Sequence, residues 1–347
     1  MTDKRETKKL LVLLIDGFRW DYFDILGLEL PGFKQLFRQG IKSDYMVPDF
    51  PSLSYPNYYS IMTGLHVENH GFVGNFMWNQ ERGNSFEIKM ETAESKKSHW
   101  FEGAEPLWIT AVKQEKRTNM FEWPGGHIPN KGTTSTFYDE MGEWPMIPHM
   151  MKNLKKAFNK FKTDKIDMAG VFVDVVDDGG HSYGPNSKEL KDIIRQTDEA
   201  IKQMLDMLVQ EGLEDKVNIV IFSDHGMTEI SESRTIDISD HIGYADVEAV
   251  RDKGAVCSIW PREGKLEKPS GQSIDNYSDG PAKGHHGYDN AEKDMRGIFL
   301  ACGPDFKKNF KNGPVKAVDI YQVMCKALDI QPLPHKGSWS SAKDIFI

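Results

Sequence analysis

Residues 10–17 of the chain read LLVLLIDG, a run of six apolar residues that ends at Asp16 and Gly17. A continuous apolar run of this length predicts a strand that is buried on both faces, as in a parallel sheet. Open α/β sheets place their chemistry beyond the carboxyl ends of their strands. The stretch therefore predicts a parallel sheet and places the carboxylate of Asp16 at its functional edge.

The same pattern recurs later in the chain. Apolar runs lead into polar or turn-forming residues at Met168–Val176 with Asp177, Val217–Phe222 with Ser223, Asp224 and His225, and Gly297–Ala301 with Cys302. Helix-periodic segments follow at Ser187–Gln210 and Val315–Leu328. Strands that alternate with helices predict an α/β fold, a doubly wound, mostly parallel sheet flanked by helices. We expect a single domain spanning residues 1–347.

Two segments are less regular. Residues 79–150 are rich in Trp, Gly, Pro and Met and predict a long excursion that could wall a pocket. Residues 261–284 are polar and rich in Gly and Pro, which predicts a loop.

Composition excludes several classes of protein. The chain has 347 residues and a net charge of −9, with 52 acidic against 43 basic side chains, so a polymeric nucleic acid is not an expected partner. Its three cysteines, Cys257, Cys302 and Cys325, cannot build a disulfide framework or a CxxC zinc site. The apolar run near the N-terminus is too short for a signal peptide or a transmembrane span. On this evidence alone, a cytoplasmic location is possible.

Carboxylates and imidazoles are concentrated at the predicted strand ends. The candidates are Asp16, Asp177, His181, Asp224, His225 and His286. This mixture of ligands suits Zn²⁺ or a similar first-row metal, and six ligands suffice for two open three-ligand sites. Taken singly, an Asp at a strand end is more often a helix cap or turn former, and a lone His is more often structural.

The segment PDFPSLSYPNYYSIMTG, residues 48–64, contains a candidate nucleophile. Ser54 precedes Pro56 and an apolar-periodic run, which predicts that it lies at a helix N-terminus. A serine before proline is also an ordinary helix cap. Beside a metal ion, however, the hydroxyl can ionise near neutral pH and gain support from the helix dipole.

Several stretches together carry a resemblance. They are KLLVLLIDGFRWDYF (9–23), PDFPSLSYPNYYSIMTGLHVENHGFVGNFMW (48–78), DDGGHSYGP (177–185), VNIVIFSDHGMT (217–228) and GHHGYDN (284–290). In this order they resemble the ectonucleotide pyrophosphatase/phosphodiesterase family of the alkaline phosphatase superfamily. The resemblance implies an alkaline-phosphatase-like fold, here with a shortened insertion near residues 261–284.

The resemblance also implies roles for individual residues. It assigns Asp177, His181 and His286 to one Zn²⁺ ion, and Asp16, Asp224 and His225 to a second one. Ser54 would reach toward the second zinc as the nucleophile and form a phosphoserine intermediate. Asn75 would donate a hydrogen bond to a phosphate oxygen, and Asp177 would also contact the substrate.

The substrate expectation comes from PSLSYPN, residues 51–57, which looks like the choline-specific branch of the family, the glycerophosphocholine phosphodiesterases. Nucleotide-hydrolysing relatives carry a Lys-Thr-Phe version there. Because a quaternary ammonium is held by cation–π attraction, choline requires an aromatic cage. The candidate cage residues are Phe172, Tyr55 and, with Asp139 or Glu140 beside it, Tyr138. The predicted substrates are glycerophosphocholine and lysophosphatidylcholine, which would release phosphocholine.

Two alternatives remain open. One is a nucleotide pyrophosphatase/phosphodiesterase of the same family. The other is a catalytically inactive binding protein, in which the shortened loop near residues 261–284 has disrupted the zinc site at His286. The resemblance favours an extracellular or cell-surface location, and the sequence leaves the oligomeric state open.

Overall fold

The computed structural model describes residues 8–25, 27–88, 92–140, 146–234, 236, 240–251, 254–264 and 282–347. Most of the predicted loop at 261–284 lies outside these residues. Within the described part of the chain, no helix has the length and hydropathy needed to cross a membrane.

The described strands are β1 (Lys9–Ile15), β2 (Gly40–Ser43), β3 (Met46–Val47), β4 (Phe76–Asn79), β5 (Asn84–Glu87), β6 (Thr118–Phe121), β7 (Phe137–Asp139), β8 (Met168–Val173), β9 (Val217–Phe222), β10 (Thr228–Glu229), β11 (Val247–Arg251), β12 (Ser258–Pro261), β13 (Gly284–His285), β14 (Phe299–Cys302), β15 (Phe310–Asn312) and β16 (Val315–Lys316). The α-helices are α1 (Tyr22–Ile25), α2 (Pro31–Gln39), α3 (Ser54–Thr63), α4 (Val67–His70), α5 (Leu107–Lys113), α6 (Ile147–Lys162), α7 (Val175–Tyr183), α8 (Lys188–Gln210) and α9 (Ala317–Leu328).

A central sheet of eight strands organises the molecule, in the order β15-β2-β14-β9-β1-β8-β6-β7. β1 lies between β8 and β9 and is parallel to both. Every residue of β1 is buried, which explains why its sequence is apolar from Leu10 to Ile15. β14 is antiparallel to β9 and to β2, whereas the other described pairs in this sheet are parallel. The predicted mostly parallel α/β sheet is therefore confirmed.

Helices cover both faces of the sheet and enclose two cores. One core joins the sheet to α3, α5 and α9, and includes Trp108 and Tyr321. The other core joins it to α2, α6 and α8, and includes Phe33 and Phe158. Alternate residues of β1 enter different cores, because successive side chains of a strand point to opposite faces.

Several predicted boundaries were wrong. β8 ends at Val173 rather than Val176, and the next apolar residues begin α7, where Val175 and Val176 pack into the core beneath the helix. Residues 315–316 form a strand beside β3, so α9 begins only at Ala317.

The interpretation of residues 79–150 as an irregular excursion was also wrong. This segment contains α5 and two strands, β6 and β7, which extend the central sheet at one edge. These strands are only four and three residues long, too short for an alternating or continuous apolar pattern to be recognised.

Candidate active site

The strands bring acidic side chains to one edge of the sheet. Asp16 follows β1, Asp174 follows β8, and Asp224 lies just beyond β9. Because these three strands are adjacent and parallel, their carboxyl ends lie at the same edge. The edge at which the sequence predicted chemistry is therefore the edge where these acids meet.

Helix α7 provides the next pair of ligands. Asp177 and His181 are four residues apart on this helix, so both side chains lie on one face. His181 Nε2 lies 3.3 Å from Asp177 Oδ2, and His286 Nε2 lies 3.6 Å from Asp177 Oδ1. Asp177 therefore lies on a helix. The sequence had predicted it at the end of a strand.

A second group lies next to the first. His225 Nε2 is 3.0 Å from Asp224 Oδ2 and 3.4 Å from Asp16 Oδ1. The rings of His225 and His286 stack with their centroids 3.5 Å apart, which joins the two groups into one site. In each group of three residues, one ligand atom per residue lies within 4.8 Å of the others.

The histidines are oriented by bonds to backbone carbonyls. The Nδ1 atoms of His181, His225 and His286 lie 2.9 Å from the carbonyl oxygens of Gly284, Gly226 and Ser52, respectively. A neutral ring that donates from Nδ1 has an unprotonated Nε2, the state in which a histidine binds a metal ion. All three Nε2 atoms are the ones that face the carboxylates.

The carboxylates provide a test of whether a cation fits. Asp16 Oδ1, Asp177 Oδ1 and Asp224 Oδ2 are buried and accept no hydrogen bond from the described part of the protein. Leaving a buried charged oxygen unpaired is costly, and binding to a metal ion removes that cost. The donor set of carboxylate oxygens and imidazole nitrogens thus fits a divalent first-row metal.

Electrostatics support the same reading. Burial, followed by the negative charge of Asp224, raises the pKa of Asp16 well above its ordinary value. Burial opposes ionisation of Asp177, but the positive charge of His181 holds the pKa of that carboxyl well below its ordinary value. Burial and the neighbouring His225 lower the pKa of His286. Such opposed shifts are typical of functional sites.

Ser54 is the first residue of α3 and is buried, with Oγ 3.4 Å from His225 Nε2. The helix cap is Leu53, and no side-chain capping bond forms there. Ser54 is therefore not the helix cap, and its hydroxyl faces the histidine group.

Asn75 lies beside the start of α3. Its Oδ1 accepts a hydrogen bond from the backbone N–H of Tyr55 at 3.0 Å. Pro56, the next residue, has no N–H. These two positions of the first turn therefore offer no free backbone donor beside Ser54.

The candidate cage aromatics are only partly brought together. Phe172, in β8, is 5% exposed and packs edge-on against Tyr58 at 5.9 Å, and Tyr58 also contacts Tyr55 at 5.5 Å. Tyr138 lies two strands away, in β7, with its ring 5.0 Å from that of His127. Phe172, Tyr55 and Tyr138 all border the same core.

Asp139 does not accompany Tyr138 toward that core. It accepts hydrogen bonds from Asn119 at 3.0 Å and Lys156 at 2.6 Å, on the side of the sheet that α6 covers. Neighbouring strand residues point to opposite faces, so the pairing of Asp139 with Tyr138 in one cage wall was wrong.

Two residues of the site were missed in the sequence. Asp174 has carboxylate oxygens near those of Asp16 and Asp177, and burial followed by the charge of Asp177 raises its pKa to about 8. The sequence did not reveal Asp174 because the apolar residues Val175 and Val176, which follow it, made the strand look longer than it is. Tyr58 donates its hydroxyl to Asp16 Oδ2, and its spacing of four residues from Ser54 was the available clue.

Comparison with known proteins places this site in a family. A sequence model described as type I phosphodiesterase / nucleotide pyrophosphatase matches residues 10–299, more than half of the chain. The chain belongs to this phosphodiesterase family. The family resemblance inferred from the motifs is thereby confirmed.

Curated relatives cover nearly the whole chain. Ectonucleotide pyrophosphatase/phosphodiesterase family member 7 of Rattus norvegicus is 29% identical over 96% of this chain and 86% of its own length. Family member 5 of Homo sapiens is 29% identical over 98% of this chain and 78% of its own length. Bis(5'-adenosyl)-triphosphatase of Mus musculus is 27% identical over 98% of this chain and 81% of its own length. None of these names mentions choline, so choline specificity stays a prediction.

A solved structure of the family agrees in fold. Murine family member 5, as an inactive variant in complex with AMP, is 28% identical with a TM-score of 0.90, covering 98% of this chain and all of that one. The alkaline-phosphatase-like α/β fold is therefore confirmed.

Proposed function

We propose that this phosphodiesterase uses two Zn²⁺ ions and Ser54 to cleave choline phosphodiesters such as glycerophosphocholine and lysophosphatidylcholine. The observation that carries the proposal is the position of Ser54 Oγ, 3.4 Å from His225 Nε2 at the junction of two three-ligand groups. Asp177, His181 and His286 would hold one ion, and Asp16, Asp224 and His225 the other. When bound, zinc supplies positive charge beside the attacking and leaving oxygens of an in-line displacement.

The chain's own residues account for the course of the reaction. Ser54 Oγ, having lost its proton, attacks phosphorus, and the bond from phosphorus to the glycerol oxygen breaks. That oxygen takes up a proton and leaves, while phosphocholine stays bonded to Ser54. Water then attacks phosphorus, the bond to Ser54 Oγ breaks, Oγ takes up the proton that the water loses, and phosphocholine is released. Asn75 Nδ2 donates to a non-bridging oxygen, where it stabilises the charge that develops.

An aromatic row supports choline as the head group. The rings of Tyr55, Tyr58 and Phe172 follow one another beside Ser54, with centroid distances of 5.5 and 5.9 Å. An aromatic face attracts a quaternary ammonium, which accepts no hydrogen bond, and Tyr55 is the member of this row that is partly exposed. Tyr138 borders the same core from the edge of the sheet and would close the far side.

A nucleotide substrate is the second candidate. It is favoured by the family description, which includes nucleotide pyrophosphatases, and by the AMP complex of a relative with the same fold. The inactive binding protein is a weaker candidate, because three buried carboxylate oxygens in the site accept no hydrogen bond from the described residues, which is costly without a cation. As part of the proposal we place the protein outside the cell or at its surface, as the word ectonucleotide in the relatives' names suggests.

The test is hydrolysis of p-nitrophenyl phosphocholine beside p-nitrophenyl thymidine monophosphate, with zinc added or chelated. We expect zinc-dependent preference for the choline ester, and loss of activity by at least about 10³-fold in Ser54→Ala. Ser60→Ala is the matched control, since its buried hydroxyl is on the same helix but bonds Asp49 and His70. It should lose about 1 kcal/mol of stability and keep its activity.

The outcomes separate the candidates. Preference for the nucleotide ester would retain the mechanism and exclude the choline assignment. If folded, zinc-loaded protein hydrolyses neither ester, the binding-protein alternative is supported. Full activity in Ser54→Ala would remove Ser54 as the nucleophile.

A further inference from the structure

Tyr58 connects the nucleophile helix to a candidate metal ligand. It lies on α3 four residues after Ser54, so both side chains lie on the same face of the helix. Its side chain is buried, with 3% of its surface exposed, and its hydroxyl donates to Asp16 Oδ2. The two residues are 42 positions apart in the chain, and neither is an obvious partner of the other in sequence.

The two oxygens of Asp16 therefore have different environments. Oδ2 is occupied by the Tyr58 hydroxyl, whereas Oδ1 has no hydrogen-bond partner among the described residues and lies 3.4 Å from His225 Nε2. The hydrogen bond fixes the rotation of the carboxylate so that Oδ1 faces the group shared with Asp224 and His225.

Asp224 is held in the corresponding way by the backbone. Its Oδ1 accepts the N–H of Gly17 at 3.3 Å, and its Oδ2, which accepts no hydrogen bond from the described residues, faces His225 Nε2 at 3.0 Å. Each carboxylate of this group thus has one anchored oxygen and one open oxygen. For Asp16 the anchor is a side chain, which a single substitution can remove.

We propose that the hydroxyl of Tyr58 is a positioning group that sets the metal affinity of the site formed by Asp16, Asp224 and His225. This rests on the proposed function, because it requires a cation at that site. Hydrogen bonds to the far side of metal ligands orient them, and their loss weakens metal binding by about 10–100-fold. The ring of Tyr58 has a separate role, since it packs between Tyr55 and Phe172.

Tyr58→Phe separates these roles, because it removes the hydroxyl and keeps the ring. The full chain is stripped of metal and titrated with Zn²⁺ in competition with a chromophoric chelator. We expect one of the two zinc affinities to fall by about 10–100-fold and the other to stay unchanged. Tyr59→Phe is the matched control: its side chain is equally buried on the same helix but packs on Phe72 at 4.3 Å, and its zinc affinities should match those of the wild type.

Two backgrounds identify the weakened site. In His181→Ala, which disables the other group, Tyr58→Phe should weaken the zinc site that remains. In Asp224→Asn, which disables the Asp16 group, Tyr58→Phe should have no effect on the remaining site. An equal effect in both backgrounds would indicate general loosening of the fold and would overturn the proposal.

A second measurement uses the unaltered chain and does not depend on whether the variant folds. Diffraction from zinc-soaked crystals at the zinc absorption edge shows which oxygen of Asp16 binds the ion. We expect Oδ1 on the metal and Oδ2 on the Tyr58 hydroxyl. Zinc bound through Oδ2 would overturn the proposal.

The failures of the two proposals can be told apart. Wild-type zinc affinities in folded Tyr58→Phe overturn the positioning role alone. A zinc affinity that depends on Tyr58, in a chain that hydrolyses neither ester, overturns the proposed activity alone. A wild-type chain that binds no zinc overturns both.

Discussion

At the scale of single residues, the site contains side chains in which two polar atoms have different partners. Asn75 uses Oδ1 to accept the N–H of Tyr55, which orients the amide, and in the proposed reaction its Nδ2 donates to a substrate oxygen. The three candidate ligand histidines each use Nδ1 for a backbone carbonyl and present Nε2 to the carboxylates. Such anchoring reduces the reorganisation needed when an anion or a cation binds.

The first prediction concerns Asn75. Replacing it with Ala should lower kcat/KM for the phosphodiester by about 10²–10³-fold, because a donor that stabilises developing charge is lost. Zinc content, measured by atomic spectroscopy after dialysis, should not change, since the candidate metal ligands are Asp and His side chains.

Asn75→Asp tests whether the donor is what matters. It keeps an oxygen that can accept from Tyr55 but has no N–H to offer, so it should be as impaired as Asn75→Ala. A near wild-type rate in Asn75→Asp would show that anchoring Tyr55, rather than contacting the substrate, is the role of this side chain.

At the scale of elements, short turns decide whether the ligands meet. Gly17 follows β1 with a φ of +65° and donates its N–H to Asp224. A Cβ at this position would lie 2.7 Å from Asp177 Oδ1. Because Gly17 has no side chain, Asp177 can approach this turn while the N–H of Gly17 bonds Asp224. The sequence predicted Asp16 at this turn, but the close approach of α7 depends on packing that the sequence does not show locally.

The second prediction uses this turn. Gly17→Ala should reduce zinc binding and activity together, because the added methyl group displaces Asp177 as well as straining the backbone. Gly71→Ala is the matched control, with a φ of +87° but nothing within 4 Å of the added Cβ. The control should lose only about 1–2 kcal/mol of stability and keep its zinc. Equal zinc binding in both variants would contradict the argument.

At the scale of the whole molecule, the ligands come from segments that are far apart along the chain. Two of them, Asp16 and Asp224, follow β1 and β9. Asp177 lies on the helix after β8, and His286 follows β13. They meet only because the fold places those segments together. A cation at this junction would join them and oppose unfolding. The described residues of the site include more carboxylates than histidines. Protonation of these side chains should therefore govern how the stability of the metal-free protein depends on pH.

The third prediction is a pH dependence. In the metal-free protein, burial opposes the charge of His181, but Asp177 raises its pKa to about 9, and burial raises the pKa of Asp174 to about 8. A raised pKa in the folded state stabilises the fold at low pH and is lost as pH rises through it. Metal-free protein should therefore melt at a lower temperature at pH 9 than at pH 6.5.

Zinc should reverse this trend, because it binds the deprotonated ligands. With free zinc at 100 times its Kd, the stabilisation is about 2.7 kcal/mol for one site. Thermal unfolding with chelator and with zinc, at both pH values, measures the effect. Asp174→Asn should flatten part of the metal-free slope, and a metal-free melting temperature that rises with pH would contradict the assignment of these shifts.

Much of this protein could be predicted from local sequence. The buried strand at 10–15, the strand at 217–222 and the long helix ending at Gln210 were predictable, since continuous apolar runs and helical periodicity reflect burial within a single element. The residue types at the strand ends also determined the chemistry, because carboxylates, imidazoles and one hydroxyl define what can bind there.

Only the tertiary structure decided how these parts combine. It placed Asp177 and His181 on a helix, added two very short strands to the edge of the sheet, turned Asp139 away from Tyr138, and joined Tyr58 to Asp16. These features depend on contacts between residues distant in sequence, and such contacts leave no periodic signal in either segment. The sequence by itself therefore determined the strands and the ligand types, whereas the packing of elements decided which ligand atoms face one another.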